Sequence, residues 1–226
     1  MEKANALYVV ATPIGNLDDI TFRAVSVLKA VDVVFSEDTR QTKKIFGRHQ
    51  VTTPLKSYRD QNHKRVLQEI LDLLEQGKTL ALVSDSGTPL ISDPGYKLVR
   101  SVVDAGYLVI PVPGPSAVIA SLSASGLPTD KFVFVGFLPK SQGKRVELLT
   151  EFGKLDATLV IYESPFRVVQ LLQEILTVLG NREVCLACEI TKIFEKFDRG
   201  LTSELLERLS TQKIRGEYTV LVSKML

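Results

Sequence analysis

The sequence predicts an α/β protein made of two α/β domains, and three observations carry that expectation. Short apolar runs alternate with longer amphipathic segments through the first half. That alternation is the pattern of a mainly parallel sheet with helices on its faces. Pro111, Pro113, Gly114 and Pro115 then crowd together near the middle of the chain, a composition that marks a boundary or hinge. Beyond them strand-like runs outnumber helical ones, which suits a mixed sheet. We therefore expect residues 1–112 to form an N-terminal domain with a mostly parallel sheet, and residues 113–226 a C-terminal domain with a mixed one. Both lengths are ordinary for a domain.

The elements follow in order. Leu7–Ala11 is apolar and rich in β-branched residues, so it reads as a strand. Thr12–Asp19 holds Pro13, Gly15 and Asn16 and reads as a turn. A helix follows, capped by Asp19 or Thr21, with Val25, Leu28 and Val31 at helical spacing. Val33–Phe35 is a second strand, and Thr39–Phe46 a helix that Gly47 is placed to end. Asn62–Gln76 is the clearest helix: Val66, Leu67, Ile70, Leu71, Leu73 and Leu74 form one stripe, and Gly77 stops it. A short further strand fits between these two helices. Leu80–Ser84 is a buried strand, Tyr96–Asp104 a helix closed by Gly106, and Leu108–Val112 a strand.

In the second half Ser116 is placed to cap a helix over Ala117–Ala124. Strands are expected at Phe132–Val135, Thr158–Tyr162, Val184–Glu189 and Tyr218–Val222, and a further one at Ile193–Arg199, where apolar and charged residues alternate from Ile193 to Phe197. Helices are expected near Lys144–Phe152, Phe166–Leu179 and Ser203–Ser210.

Composition narrows the class. Hydrophobic residues make up 45% and charged residues 24%, as in ordinary globular proteins. Nothing resembles a signal peptide, and no run reaches the roughly 18 apolar residues of a membrane span, so a cytoplasmic location is expected. Cys185 and Cys188 form a C-x-x-C. A zinc site needs two more ligands, and His49 and His63 lie far upstream. A redox pair would open a helix, whereas Val184, Leu186 and Ala187 read as strand. We read two buried thiols, and expect no metal.

The net charge of +2 names no partner, but its distribution is uneven. Between Thr39 and Arg65 lie eight basic residues, Arg40, Lys43, Lys44, Arg48, Lys56, Arg59, Lys64 and Arg65, opposed only by Asp60. Such a segment suits an anionic partner, RNA included, and equally a solvated helix face with its loop.

Ligands of open α/β sheets bind at the carboxyl ends of the strands. Three Gly/Pro turns sit there: Ala11–Gly15, Ser84–Gly95 and Pro111–Pro115. Glycine admits close backbone approach, and proline stiffens the loop. The middle turn is long for its kind and carries Ser84, Asp85, Ser86, Thr88, Ser92 and Asp93. None of the three matches G-x-G-x-x-G or G-x-x-x-x-G-K-[ST], so a dehydrogenase or P-loop hydrolase is disfavoured. The turns favour a ligand held by backbone groups with little phosphate contact.

The motifs Thr12–Thr21 (TPIGNLDDIT), Ser36–Arg40 (SEDTR), Ser84–Gly95 (SDSGTPLISDPG), Pro113–Ser116 and Gly136–Pro139 together resemble the tetrapyrrole-methylase superfamily. With Glu163–Arg167 (ESPFR) and Glu189–Glu195 (EITKIFE), they are similar to the branch that methylates small-subunit ribosomal RNA. The resemblance spans nearly the whole chain in order. It implies two α/β domains with the active site in a cleft between them, S-adenosylmethionine as methyl donor, and a homodimer. It implies transfer to the ribose 2′-oxygen of a cytidine in 16S rRNA of the small ribosomal subunit. Carried over by position, the donor-binding candidates are Ile14, Gly87, Thr88, Ile91, Ser116, Ala117, Tyr162 and Ala187. The chain ends soon after Gly216–Val222, where many members continue into a small helical region.

Methyl transfer is an in-line displacement that needs positioning and removal of the acceptor's proton. Lys192 lies between acids in EITKIFE, so Lys192, with Glu189 and Glu163, is the candidate catalytic set; Glu195, Glu37, Asp38 and Arg40 are further candidates for assistance. Lys192 is expected near Glu163 or Glu189, as a base if burial lowers its pKa and as an orienting group if the carboxylates prevail. Arg40, Lys43, Lys44, Arg59 and Arg167 are the RNA-binding candidates, with Tyr58 as a stacking partner. Glu37 and Asp38, neighbours in the chain, suit a helix cap with an arginine partner better than a metal pair. Two alternatives stay open: a methylase of a small tetrapyrrole or corrin precursor, and a non-catalytic RNA-binding α/β module.

Overall fold

The structure is a computed structural model, and it describes residues 5–224. The chain divides into two compact units after Ser116.

The first unit is built on β1 (Ala6–Val10), α1 (Phe22–Ala30), β2 (Val33–Ser36), α2 (Thr39–His49), β3 (Leu55–Ser57), α3 (His63–Glu75), β4 (Leu80–Val83), α4 (Tyr96–Asp104) and β5 (Leu108–Val112). Its strands run in the order β3-β2-β4-β1-β5, every pair parallel. The alternation of the strands sorts their side chains. Tyr8, Val10, Val34, Ala81 and Val83 face one way, into a core with Ala24, Val27 and Leu28 of α1 and Phe46 of α2. Leu7, Phe35, Leu80 and Leu82 face the other way, against Val66, Ile70 and Leu74 of α3 and Leu98 and Val102 of α4. Burial on both faces explains why β2 and β4 read as unbroken apolar runs.

The second unit holds α5 (Ala117–Ser125), β6 (Phe132–Phe137), α6 (Gln142–Phe152), β7 (Thr158–Glu163), α7 (Val168–Leu179), β8 (Glu183–Cys188), β9 (Lys196–Leu201), α8 (Thr202–Ser210) and β10 (Tyr218–Val222). Its sheet runs β6-β7-β10-β8-β9. The pair β6–β7 is parallel, and β7–β10, β10–β8 and β8–β9 are antiparallel, the mixed sheet expected. One core joins Leu159, Ile161, Leu186, Val220 and Val222 of the sheet to Leu149 of α6, Leu171 and Ile175 of α7, and Leu205 and Leu209 of α8. Helix α5 packs against β10 and β8.

Several boundaries differ from the sequence reading. Helix α2 runs through Gly47 to His49 and stops at Gln50, which takes the left-handed conformation (φ 52°). Val51 follows with a buried side chain, so core packing rather than the glycine decides the stop. Thr21, not Asp19, caps α1, its hydroxyl accepting from the Ala24 N–H at 3.0 Å. Helix α7 begins at Val168; Phe166 lies before it and is 93% exposed. The last edge strand is Lys196–Leu201, so Ile193–Glu195, which alternates like a strand, belongs to the loop before it. Alternation cannot separate a strand from an exposed loop when both faces meet water.

One buried ion pair anchors the second unit. Arg145 Nη2 donates to Glu174 Oε1 at 2.6 Å and Nε to Oε2 at 2.8 Å, with the two side chains 4% and 6% exposed. Arg145 Nη1 also donates to the carbonyls of Pro139 and Lys140, which holds the turn after β6. Removing one partner strands a buried charge. Arg145→Leu should lower unfolding free energy by about 3–5 kcal/mol, and Arg145→Leu/Glu174→Leu should recover much of it. Urea denaturation of the three proteins measures this, and equal stability of the two variants would refute it.

Candidate active site

All five strands of the first unit are parallel, so the turns after β1, β4 and β5 leave from one sheet edge. Backbone bonds tie them together. Thr12 N donates to Gly87 O at 2.8 Å, and Gly87 N returns a bond to Thr12 O at 3.0 Å. The Thr12 hydroxyl donates to Ser84 O, and the Thr88 hydroxyl to Pro115 O at 3.4 Å. Gly87 sits at φ +76°, and a Cβ there would lie 3.4 Å from Ile14 Cγ2, so the bridge needs glycine. Ile14, Thr88 and Ser116 are half-buried around it, Gly87 is buried, and Ile91 is 46% exposed. Leu90 and Ser92 also hold positive φ (73° and 64°), strain of the kind found in binding loops.

The electrostatics of this edge are one-sided. The segments Thr12–Gly15, Ser84–Gly95 and Pro113–Ser116 contain Asp85 and Asp93 and no lysine or arginine. Burial, together with the Asp85 charge, pushes the Asp93 carboxyl up against a lowering hydrogen bond from Ser84. Burial also raises the Glu37 carboxyl, reinforced by Asp85 and Asp93. Such an edge repels polyphosphate and suits a neutral or cationic ligand held by carbonyls and carboxylates.

In the second unit Tyr218 of β10 stands opposite Glu163 of β7 and Cys188 of β8. The loops after β7 and β8 therefore leave from one edge. Glu163 is 2% exposed; its Oε1 accepts from Arg167 Nη2 at 2.7 Å and from the Ser164 N–H, while the buried Oε2 has no partner. Arg167 also donates to Leu138 O, so this arginine links the loop after β7 to the turn after β6. Tyr162 is half-buried beside Phe134 and Phe137. Ala117 opens α5, half-buried, and Ala187 is fully buried within β8, between Phe197 and Thr219.

Lys192 lies in the loop after β8, beside Glu189, while the Glu163 carboxylate is bonded to Arg167. Its Nζ donates to Glu189 Oε1 and to Glu217 Oε2, each at 2.9 Å. Burial by itself lowers the Lys192 pKa, but the bonds to Glu217 and Glu189 outweigh it and raise the value. Burial likewise raises Glu189, yet the Glu217 N–H and Lys192 prevail and hold it below the usual range. Both groups stay charged. Glu189 and Thr191 have positive φ (51° and 65°), and Glu195 accepts from the Thr191 N–H. Glu217 was missed in the sequence, where it stands 25 residues from Lys192. Gly216 before it was its only signal: a Cβ there would meet Glu189 Cγ at 2.6 Å.

The basic segment is only partly free. Arg40 pairs with Asp38, Arg48 with Asp18 and Lys56 with Glu69. Lys43, Lys44, Arg59, Lys64 and Arg65 form no ion pair among the described residues. Asp38 caps α2 and bonds Arg40, as the sequence suggested, and hydrogen bonds from Arg40 hold its pKa down to about 2. Tyr58 is a correction: it is 1% exposed, bonded to His63 Nδ1 at 3.0 Å, and burial pushes its pKa up to about 12. It is core and cannot stack on a base. Cys185 and Cys188 are free buried thiols of one strand, Cys185 pushed up to about 11 by burial. Among the described residues no group of three or more His, Cys, Asp or Glu side chains could hold a metal ion, and no helix is long and apolar enough to cross a membrane.

Two α/β sheets in sequence, the first with a phosphate-averse crevice at its strand ends, define the class of two-domain α/β methylases. Residues 6–206 match the Tetrapyrrole (Corrin/Porphyrin) Methylases, and the chain belongs to that family. It is 48% identical over 222 residues to the ribosomal RNA small subunit methyltransferase I of Vibrio cholerae, covering 97% of this chain and 77% of the relative. The protein of that name from Halalkalibacterium halodurans is 47% identical (96% of this chain, 75% of the relative). That from Thermotoga maritima is 44% identical, covering 96% and 97%. Among solved structures, a cobalt precorrin-4 methyltransferase of cobalamin biosynthesis superposes with a TM-score of 0.71 at 18% identity, covering 97% of this chain and 95% of that one. A uroporphyrin III C-methyltransferase from Thermus thermophilus gives 0.66 at 19%, covering 96% and 97%. At these identities the two structures show the shared fold.

The raised Asp93 carboxyl yields a pH prediction. The folded protein keeps that proton at pH values where the unfolded chain has lost it, so the group's contribution to stability falls as pH rises through the interval. Asp93→Asn should therefore raise the melting temperature at pH 7, with the gain fading as pH drops below about 4. A gain independent of pH would contradict the assignment.

Proposed function

We propose that this chain methylates small-subunit (16S) ribosomal RNA at the ribose 2′-oxygen of a cytidine, with S-adenosylmethionine as donor and no metal. The observation that carries the reading is one sheet edge of the first unit: three strand-end turns, joined by the Thr12–Gly87 bonds and the Thr88–Pro115 bond, that offer carbonyls and carboxylates and no cation. That donor set fits a sulfonium compound and opposes a phosphate one. The names of the relatives, at 44–48% identity, support ribosomal RNA as acceptor. The donor candidates are Ile14, Gly87, Thr88, Ile91 and Ser116 of the first unit and Ala117, Tyr162 and Ala187 of the second. Residues 1–112 and 113–226 are taken as the two domains. A homodimer and a cytoplasmic location follow the resemblance to the superfamily.

When bound, the donor supplies a methyl group already activated by its sulfonium, so the protein's own tasks are orientation and proton removal. Glu189, ionised and part-exposed, is the proton acceptor for the ribose hydroxyl. Lys192, kept charged by two carboxylates, orients that hydroxyl rather than deprotonating it. Glu163, buried and bonded to Arg167, positions the loop Ser164–Arg167. Arg40, Lys43, Lys44, Arg59 and Arg167 contact RNA, Arg40 while paired with Asp38.

Calorimetric titration with S-adenosylmethionine should show saturable binding, and mass mapping of small-subunit RNA should show one added methyl on a cytidine ribose. RNA returned without the added methyl would overturn the reading. Lys192→Met should cut the single-turnover rate by at least about tenfold with donor binding intact; near-normal turnover removes its role. Charge reversal at Lys43 and Lys44 should weaken RNA binding and flatten its salt dependence; unchanged affinity places the RNA elsewhere.

A further inference from the structure

An open pocket of about 480 Å³ lies beyond the end of β3, lined by Ser57, Arg59, Gln61, Asn62 and Arg65. All five lining residues carry polar side chains, although apolar atoms supply more of the pocket's surface than polar ones. Two of the five side chains are arginines. The Arg59 Nε donates to the Glu37 carbonyl at 3.0 Å, an anchor that leaves its two terminal nitrogens for another acceptor. Arg65 forms no hydrogen bond or ion pair among the described residues. Asn62 is spent on the walls: its amide accepts from Arg59 N and donates to Ser57 O. That pair of bonds fixes the loop Ser57–Asn62, so the pocket is shaped before any ligand arrives. Gln61 and the Ser57 hydroxyl remain open donors and acceptors.

Position adds to chemistry. Strand β3 pairs with β2, and β2 with β4, all parallel. The pocket therefore stands at the same sheet edge as the Ser84–Gly95 loop, about 10 Å from it at two strand spacings. The Ser84–Gly95 loop carries Asp85 and Asp93, while the pocket's walls carry Arg59 and Arg65, with Asp60 between the wall residues and Glu37 near enough to Arg59 for their charges to interact. Cationic side chains are thus gathered at the β3 end of this edge and absent from the Ser84–Gly95 loop.

We propose that this pocket binds one nucleotide of a single-stranded segment of the substrate RNA. Its phosphate lies on the Arg59 and Arg65 guanidinium groups, and its base edge meets Gln61 and Ser57. Guanidinium forks match phosphate oxygens in pairs, and an amide presents both a donor and an acceptor to a base. Tyr58 is buried, so stacking on that ring plays no part and hydrogen bonding carries the contact. The proposal rests on ribosomal RNA being the acceptor and identifies where a nucleotide other than the methylated one is held.

The test uses the full chain, a fluorescein-labelled single-stranded RNA copying the methylated 16S segment, and isolated small ribosomal subunits. Affinity is measured across a salt series for wild type, Arg65→Ala, Arg59→Ala/Arg65→Ala, Arg65→Lys and Gln61→Ala, with the melting temperature and S-adenosylmethionine affinity of each as controls. Each arginine replaced by alanine should weaken RNA binding about tenfold and reduce the slope of log affinity against log salt by about 0.7. Arg65→Lys should restore the slope but only part of the affinity, because the charge remains and the fork is lost. Gln61→Ala should leave the slope alone and reduce discrimination at one base. Variants that keep donor affinity and bind RNA as wild type does, with the same slope, overturn the pocket while leaving the methyltransferase reading intact. A wild-type protein that binds neither the RNA nor the subunits overturns both.

Discussion

Two reciprocal hydrogen bonds between the backbones of Thr12 and Gly87 hold the working edge of the first unit. They form an isolated antiparallel bridge beyond the ends of β1 and β4, which themselves pair in parallel. The arrangement of the strand-end turns in that unit rests on this bridge. It turns the loop Ser84–Gly95 back over β1, brings Thr88 within a hydrogen bond of Pro115, and sets Ile14 against Gly87. The conformation it demands of Gly87 is one that residues with a Cβ rarely take. The motif's glycine is thus a consequence of the bridge, and the prolines around it keep the turns from relaxing when no ligand is present.

The second unit reaches a comparable arrangement by other means. Its sheet is mixed, and the short central β10 places Tyr218 between the ends of β7 and β8. Backbone strain is stored next door, at Glu189 and Thr191, and a three-member charge cluster of Lys192, Glu189 and Glu217 holds it. That cluster is polar and part-exposed and carries one more carboxylate than cations, whereas Arg145 and Glu174 form a buried pair beneath the turn after β6. The same unit therefore carries one ion pair that shapes and one cluster that remains open to a substrate.

Charge explains why the reading of the basic segment needed the fold. Eight cations stand together in the chain, but Asp18 lies upstream of them and Glu69 downstream, and both fold back onto the segment. What survives unpaired is a smaller set on α2 and at the start of α3. Tyr58 shows the same gap between sequence and structure. Its neighbours Ser57 and Arg59 are exposed, yet its ring fills the core between β3 and α3.

The sequence by itself determined the α/β class, nearly every strand and helix, and the three strand-end turns, because apolar periodicity and Gly/Pro placement are local properties of the backbone. It also carried the family, since TPIGN, SDSGTPLISDPG and ESPFR stand in order along one chain. Only the tertiary structure decided that Lys192 is clamped by Glu217 as well as Glu189, that Tyr58 is buried, that α2 outruns Gly47, and that Arg59 and Arg65 at the end of β3 form no salt bridge among the described residues. Each of those outcomes depends on residues far apart in the chain meeting in space. The loop Ser84–Gly95 belongs to both accounts: its composition announced a turn rich in hydrogen-bonding groups, and the bond from Gly87 to Thr12, 75 residues away, fixed it against the end of β1.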